Sequence, residues 1–159
     1  MEKVEPDNSV DFIRTIMVSP VETVKPTDRL EQALKKIVRK NIGCVVVVEG
    51  KTPVGIVTER DISRKVAKST KVLGTQIKRV MSSPLIVVTQ KAPIDKAVYL
   101  MLKHGIRRLP VVEKGELIGL VSERDLLRWV LQISYEPRIP IEIKEILARR
   151  SEAKISSKP

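Results

Sequence analysis

The sequence predicts a mixed α/β (α+β) fold of two tandem β-α-β-β-α repeats packed about a pseudo-twofold axis. Three observations carry that prediction. Gly55-Ile56-Val57-Thr58-Glu59-Arg60-Asp61 returns as Gly119-Leu120-Val121-Ser122-Glu123-Arg124-Asp125. The repetition extends without a gap from Met17–Asp61 onto Met81–Asp125, at a constant offset of 64 residues. Each copy reads in the same order: extended piece, amphipathic helix, two apolar strands, helix. Repeats of this size are each too small for comfortable independent stability. They are expected to pack on each other, with their two strand-to-helix junctions flanking a shared cleft.

The elements follow in order. Residues 1–8 read as disordered, and Ser9–Met17 as a short helix ended by Val18-Ser19-Pro20. Residues 22–25 are extended. Thr27 caps a helix to about Lys40, because Leu30, Ala33, Leu34, Ile37 and Val38 form one apolar stripe while Arg29, Lys35, Lys36, Arg39 and Lys40 lie opposite. Asn41 or Gly43 stops it. The valine run after Cys44 is a strand buried on both faces, the turn falls at residues 49–53, and residues 54–57 return antiparallel. A helix over 59–68 completes the first repeat. A polar linker at 69–71 and a short helical segment to Val80 lead into the second. There, residues 86–89 are extended, Pro93 opens a helix in the favoured first-turn position, Gly105 ends it, 109–113 and 117–121 form the strand pair, and 122–133 the last helix. Ile139, Ile143, Ile146 and Leu147 mark a further helix over 141–150. The predicted division is therefore repeat 1 at 9–70, repeat 2 at 71–134, and a C-terminal helix and basic tail at 135–159.

Composition narrows the class. The chain of 159 residues is 42% hydrophobic but only 3% aromatic, so its core must be built from Val, Ile and Leu. No apolar run approaches a membrane span of about 20 residues, and residues 1–7 have no signal-peptide shape. Cys44, the only cysteine, sits in the valine run and reads as a small buried hydrophobe. A reducing cytoplasmic setting fits. The net charge of +11 raises nucleic acid as a partner. However, the aromatics Phe12, Tyr99, Trp129 and Tyr135 are scattered and the positive charge is not gathered into one run, so the charge fits nonspecific phosphate contacts rather than base readout.

The junction motif has its own chemistry. Thr58 and Ser122 stand where helix N-caps belong, and Asp61 and Asp125 follow three residues later. One reading is a capping box with Asp in place of Glu. The other is a ligand site: free N–H groups at a helix N-terminus favour phosphate, and the carboxylate can accept from a vicinal diol such as a ribose. His104 has no second residue at metal-ligand spacing, and no nucleophile–base arrangement recommends catalysis.

The repeated Gly-h-h-[Thr/Ser]-x-x-Asp, with h apolar, and the stretch His104-Gly105-Ile106-Arg107-Arg108-Leu109-Pro110-Val111-Val112 resemble the CBS domain family, named for cystathionine β-synthase. The resemblance spans residues 9–133. It implies a tandem pair that binds AMP, ADP, ATP or S-adenosylmethionine and acts as a regulatory sensor, not an enzyme. It also implies a homodimer and a separate target protein. By that resemblance Asp61 and Asp125 hold ribose hydroxyls, Thr58 and Ser122 lie near phosphate, and Ile42, Ile106 and Pro110 pack on adenine. Thr23 lines the adenine pocket, while Arg107, Arg108, Arg60 and Arg124 contact phosphate. Because Arg107 and Arg108 belong to the second repeat, the Asp125 site is expected to be the stronger of the two. The alternative function is a nucleic-acid-binding accessory protein using the net charge and the basic tail.

Overall fold

The structure, a computed structural model, describes residues 11–135. The helix expected over 141–150 and the basic tail lie outside them. Ten of the elements form two equivalent sets. In the first, β1 (Thr23–Val24) runs parallel to β2 (Cys44–Glu49), which pairs antiparallel with β3 (Thr52–Thr58). Helix α2 (Leu30–Lys40) joins β1 to β2, and α3 (Glu59–Val66) follows β3. In the second, β4 (Val88–Thr89), β5 (Arg108–Glu113) and β6 (Glu116–Ser122) repeat that order and sense, with α4 (Ile94–His104) and α5 (Glu123–Tyr135) in the matching places. Even the bulges match, one between Val47 and Val48, the other between Val111 and Val112.

Local chemistry explains the elements. The central strands β2 and β5 are covered on both faces, so Val45, Val46, Val47, Leu109, Pro110 and Val111 are all fully buried. Helix α2 ends on Asn41 and α4 on Gly105, each left-handed at φ 50° and 61°, which frees the chain to turn into the next strand. Helix α2 starts at Leu30, not at Thr27. The Asp28 carboxylate accepts from the Lys25 N–H at 2.8 Å and holds residues 25–28 in a turn, while Gln32 Oε1 accepts from the Arg29 N–H at 2.8 Å.

The leading segments show an exchange. Of the expected Ser9–Met17 helix, the described residues form α1 (Ile13–Ile16), because Phe12 is extended and bridges Pro93. Ile13 donates its N–H to the Ala92 carbonyl at 2.9 Å and is fully buried in the core of the second sheet, with Ile94, Leu109, Val111 and Val121. Asp11 accepts from Trp129 Nε1 at 2.8 Å and ties the same segment to α5. Conversely, the 3-10 turn Ile77–Arg79, which leads the second repeat, puts Ile77 and Val80 into the core of the first sheet. Val18 pairs with Leu120, and Ser82 with Ile56. Each packed unit is thus completed by the other repeat's leader, and β3 meets β6 where the two units join.

Candidate functional site

Thr58 ends β3 and caps α3. Its hydroxyl accepts from the Asp61 N–H at 3.2 Å and donates to Asp61 Oδ2 at 2.6 Å, and the Thr58 N–H donates to the same oxygen at 3.2 Å. Ser122 and Asp125 repeat the arrangement at 3.3, 2.5 and 2.9 Å. Both motifs are therefore capping boxes. They differ at the second carboxylate oxygen. Asp125 is 9% exposed, and its Oδ1 faces Arg128 Nη1 at 3.7 Å. Asp61 is half-buried, and among the described residues its Oδ1 has no hydrogen-bond or ion-pair partner. That oxygen remains free for a ligand.

A cavity of about 260 Å³ opens beside Asp61. Repeat 1 supplies Ile56, Thr58, Arg60, Asp61 and Arg64. The segment entering repeat 2 supplies Ser82, Pro84, Leu85 and Ile86, and the α4–β5 connection supplies Ile106, Arg107, Arg108 and Pro110. The lining thus combines apolar residues with four arginines and one carboxylate residue. Of the four, Arg108 is half-buried and Arg60, Arg64 and Arg107 are exposed at the mouth.

Arg107 and Arg108, expected to strengthen the Asp125 site, line the cavity with Asp61. Their backbone does lie beside Ser122, as Arg108 is its ladder partner and the Arg107 carbonyl accepts from the Glu123 N–H at 2.9 Å. The Arg108 side chain, however, reaches the first repeat. Arg108 lies against Gly43, where no β-carbon stands in its way. The charge argument for the Asp125 site therefore transfers to Asp61. Of the other expected residues, Thr58, Asp61, Arg60, Ile106 and Pro110 come together at this cavity. Ser122, Asp125, Arg124, Ile42 and Thr23 do not line it: Ile42 packs on the first core, and the Thr23 carbonyl accepts from Lys36 Nζ at 2.7 Å. Arg64 was not foreseen, although it stands one helical turn after Arg60 on the same face. Ser82 to Ile86 were missed because only the folded chain places them opposite β3.

The offset of 64 identifies what stands at the corresponding places on the Asp125 side. Gly43, Cys44, Val46 and Glu22 replace Arg107, Arg108, Pro110 and Ile86. Glu22 is itself engaged, with Lys36 at 3.5 Å and Lys40 at 3.7 Å. Burial pushes the Cys44 thiol up to about 11, partly offset by the neighbouring Arg108. It is a packed apolar group rather than a reactive one.

Comparison with known proteins identifies the family. The CBS domain family matches residues 13–68 and again 77–132. The chain belongs to the CBS domain family. An uncharacterized protein of Methanopyrus kandleri is 38% identical over 135 residues, which is 83% of this chain and 66% of that protein, so the chain spans just under two thirds of that relative. The CBS domain protein PAE2072 of Pyrobaculum aerophilum, solved in complex with AMP, is 30% identical at a TM-score of 0.68, over 73% of this chain and 90% of that one. The CBS domain pair of the protein MJ0100, solved with 5-methylthioadenosine and S-adenosyl-L-methionine, is 25% identical at a TM-score of 0.69, over 75% and 98%. In this CBS pair, as among its described residues generally, no helix is long and apolar enough to cross a membrane.

Proposed function

We propose that the chain is a regulatory, non-catalytic module that takes an adenosine-containing ligand in the Asp61 cavity and reports its presence to a separate protein. The observation that carries this reading is that Asp61, whose Oδ1 has no partner among the described residues, lines a cavity walled by both repeats. Asp61 would accept from the ribose hydroxyls. Ile56, Leu85, Ile86, Ile106 and Pro110 offer an apolar seat for a base, and the arginines offer donors to phosphate. The ligands of the AMP and S-adenosylmethionine complexes above support the adenosine class. AMP, ADP, ATP and S-adenosylmethionine are all within it. A ligand held by both repeats favours whichever arrangement of them it fits, and that preference is what a partner reads.

The cytoplasm is the proposed compartment, where a single buried thiol stays reduced. A homodimer is also proposed. Val38 and Leu102, equivalent positions on α2 and α4, are the most exposed large apolar side chains among the described residues, at 70% and 79%. Sedimentation velocity tests it. No observation among the described residues favours the nucleic-acid alternative.

The deciding experiment is calorimetric titration of ligand-free protein with AMP, ATP and S-adenosylmethionine, repeated on Asp61→Ala and Asp125→Ala. Binding lost in Asp61→Ala and kept in Asp125→Ala supports the reading. No heat with any compound leaves both motifs as helix caps only.

A further inference from the structure

We infer that a segment of this chain, residues 139–147, folds back as an amphipathic helix and covers the outward side of α4 and α5. Val98, Tyr99 and Leu102 are exposed on α4, and Leu127 and Val130 on α5. The two helices lie against each other, and their buried residues Ile94, Ala97, Met101 and Leu126 point into the second core. Five exposed large apolar side chains on two touching helices exceed what scattered surface residues provide. The first repeat shows how such a surface is closed. At the offset of 64, Leu34 and Val66 stand where repeat 2 has Val98 and Val130. Both are half-buried and pack on the first core with Val72 and Leu73. Those two belong to the 3-10 turn Thr70–Gly74, which lies against both α2 and α3. Where repeat 1 has Lys35 and Ser63, repeat 2 has Tyr99 and Leu127. The second repeat is therefore the more apolar of the two and, among the described residues, has no counterpart of Val72 and Leu73 over it.

The sequence decides between the two segments that could supply it. The offset puts Asn8 and Ser9 in the places of Val72 and Leu73, and these polar residues cannot seal an apolar surface. The segment after α5 has the side chains that are missing. Ile139, Ile143, Ile146 and Leu147 recur at i, i+4, i+7 and i+8, one stripe of a helix. Pro137 and Pro140 keep α5 from running on into it, and a break of a few residues is what joins two antiparallel helices. The lengths agree. Eight residues lead from Leu127 to Tyr135, where α5 ends, and eight from Ile139 to Leu147. Each stretch is about 12 Å of helix. Folded back antiparallel to α5, the segment brings Leu147 to the level of Leu127, while Lys144, Glu145 and Ala148 fall off the stripe. With Leu102 covered in this way, Val38 on α2 is what remains for a second copy.

The test uses the full chain with introduced thiols, since Cys44 is buried. On mild oxidation, Leu127→Cys with Leu147→Cys should close an intrachain disulfide at least about tenfold faster than Leu127→Cys with Ala148→Cys, whose thiol lies off the stripe. Equal rates for the two pairs would reveal a loose tail and overturn the inference. So would a disulfide joining two chains, which would give the surface to a second copy, or no disulfide in either pair. A second measurement needs no cross-link. Leu127→Cys alone should react slowly with a thiol reagent at pH 8. Adding Ile143→Asp, a charge on the stripe and outside both described cores, should raise that rate at least about tenfold while Cys44 stays unreactive. A rate that Ile143→Asp leaves unchanged would show that the segment does not cover Leu127.

Discussion

Met17 Sδ lies 2.8 Å from the point where a β-carbon on Gly119 would stand. The contact crosses between repeats, since Met17 leads the first and Gly119 begins the second junction motif. Its counterpart, Met81 over Gly55, is tighter still. The glycine of the repeated motif is therefore set by packing rather than by a turn, as neither residue has a left-handed backbone. Gly119→Ala forces the methionine off its seat and should destabilise the protein by about 1–3 kcal/mol in denaturant titration. Combining it with Met17→Ala should cost less than the two single changes added, because the second change removes the clash created by the first.

The exchanged leaders predict an equal dependence of both cores on the opposite repeat. Ile13 and Ile77 are each fully buried. Ile13→Ala and Ile77→Ala should each cost about 2–5 kcal/mol. Intrinsic fluorescence of Trp129, bonded to Asp11, and far-UV circular dichroism should report one coincident transition in both variants. Two separated transitions would show that the units fold independently.

The capping boxes separate structure from binding. Thr58→Ala and Ser122→Ala remove the same kind of bond and should lower stability similarly, by about 0.5–2 kcal/mol each. Only Thr58→Ala should also weaken ligand binding in calorimetry, because only Thr58 lines the cavity.

Cys44 gives a pH dependence whose sign is fixed. Burial raises its pKa from 9.0 to about 11, so between those values the folded chain keeps a proton that the unfolded chain has released. Stability is therefore full below about pH 9 and falls as pH rises toward 11, by up to about 2–3 kcal/mol. Cys44→Ala should lack that fall in denaturant titrations across the same range. In the native protein at pH 8 the thiol should react with a disulfide reagent only after denaturant is added.

Much of the fold was legible because its signals are local. The apolar stripe of α2, the valine run of β2 and the 64-residue offset each follow from the chain itself. The exchange of leaders was not legible: Ile13 and Ile77 read as apolar wherever they pack, and nothing in the local pattern says which sheet receives them. The same holds for the surroundings of Arg107 and Arg108. Sequence neighbourhood placed them with Asp125, whereas both line the cavity with Asp61, and Arg108 lies over a glycine 65 positions away. Thr58 and Asp61 were found because the junction motif carries cap and carboxylate in one short stretch.

The leaders also bear on what holds the chain together when the covalent connection does not. Residues 67–75 belong to no strand or isolated bridge, and a protease cutting there would sever the backbone between the two repeats. Each fragment would still hold the piece its counterpart lacks, Ile13 in one direction and Ile77 in the other. A nicked chain would migrate as one particle until denatured, and its two fragments, mixed after separation, would be expected to seek each other in equal numbers.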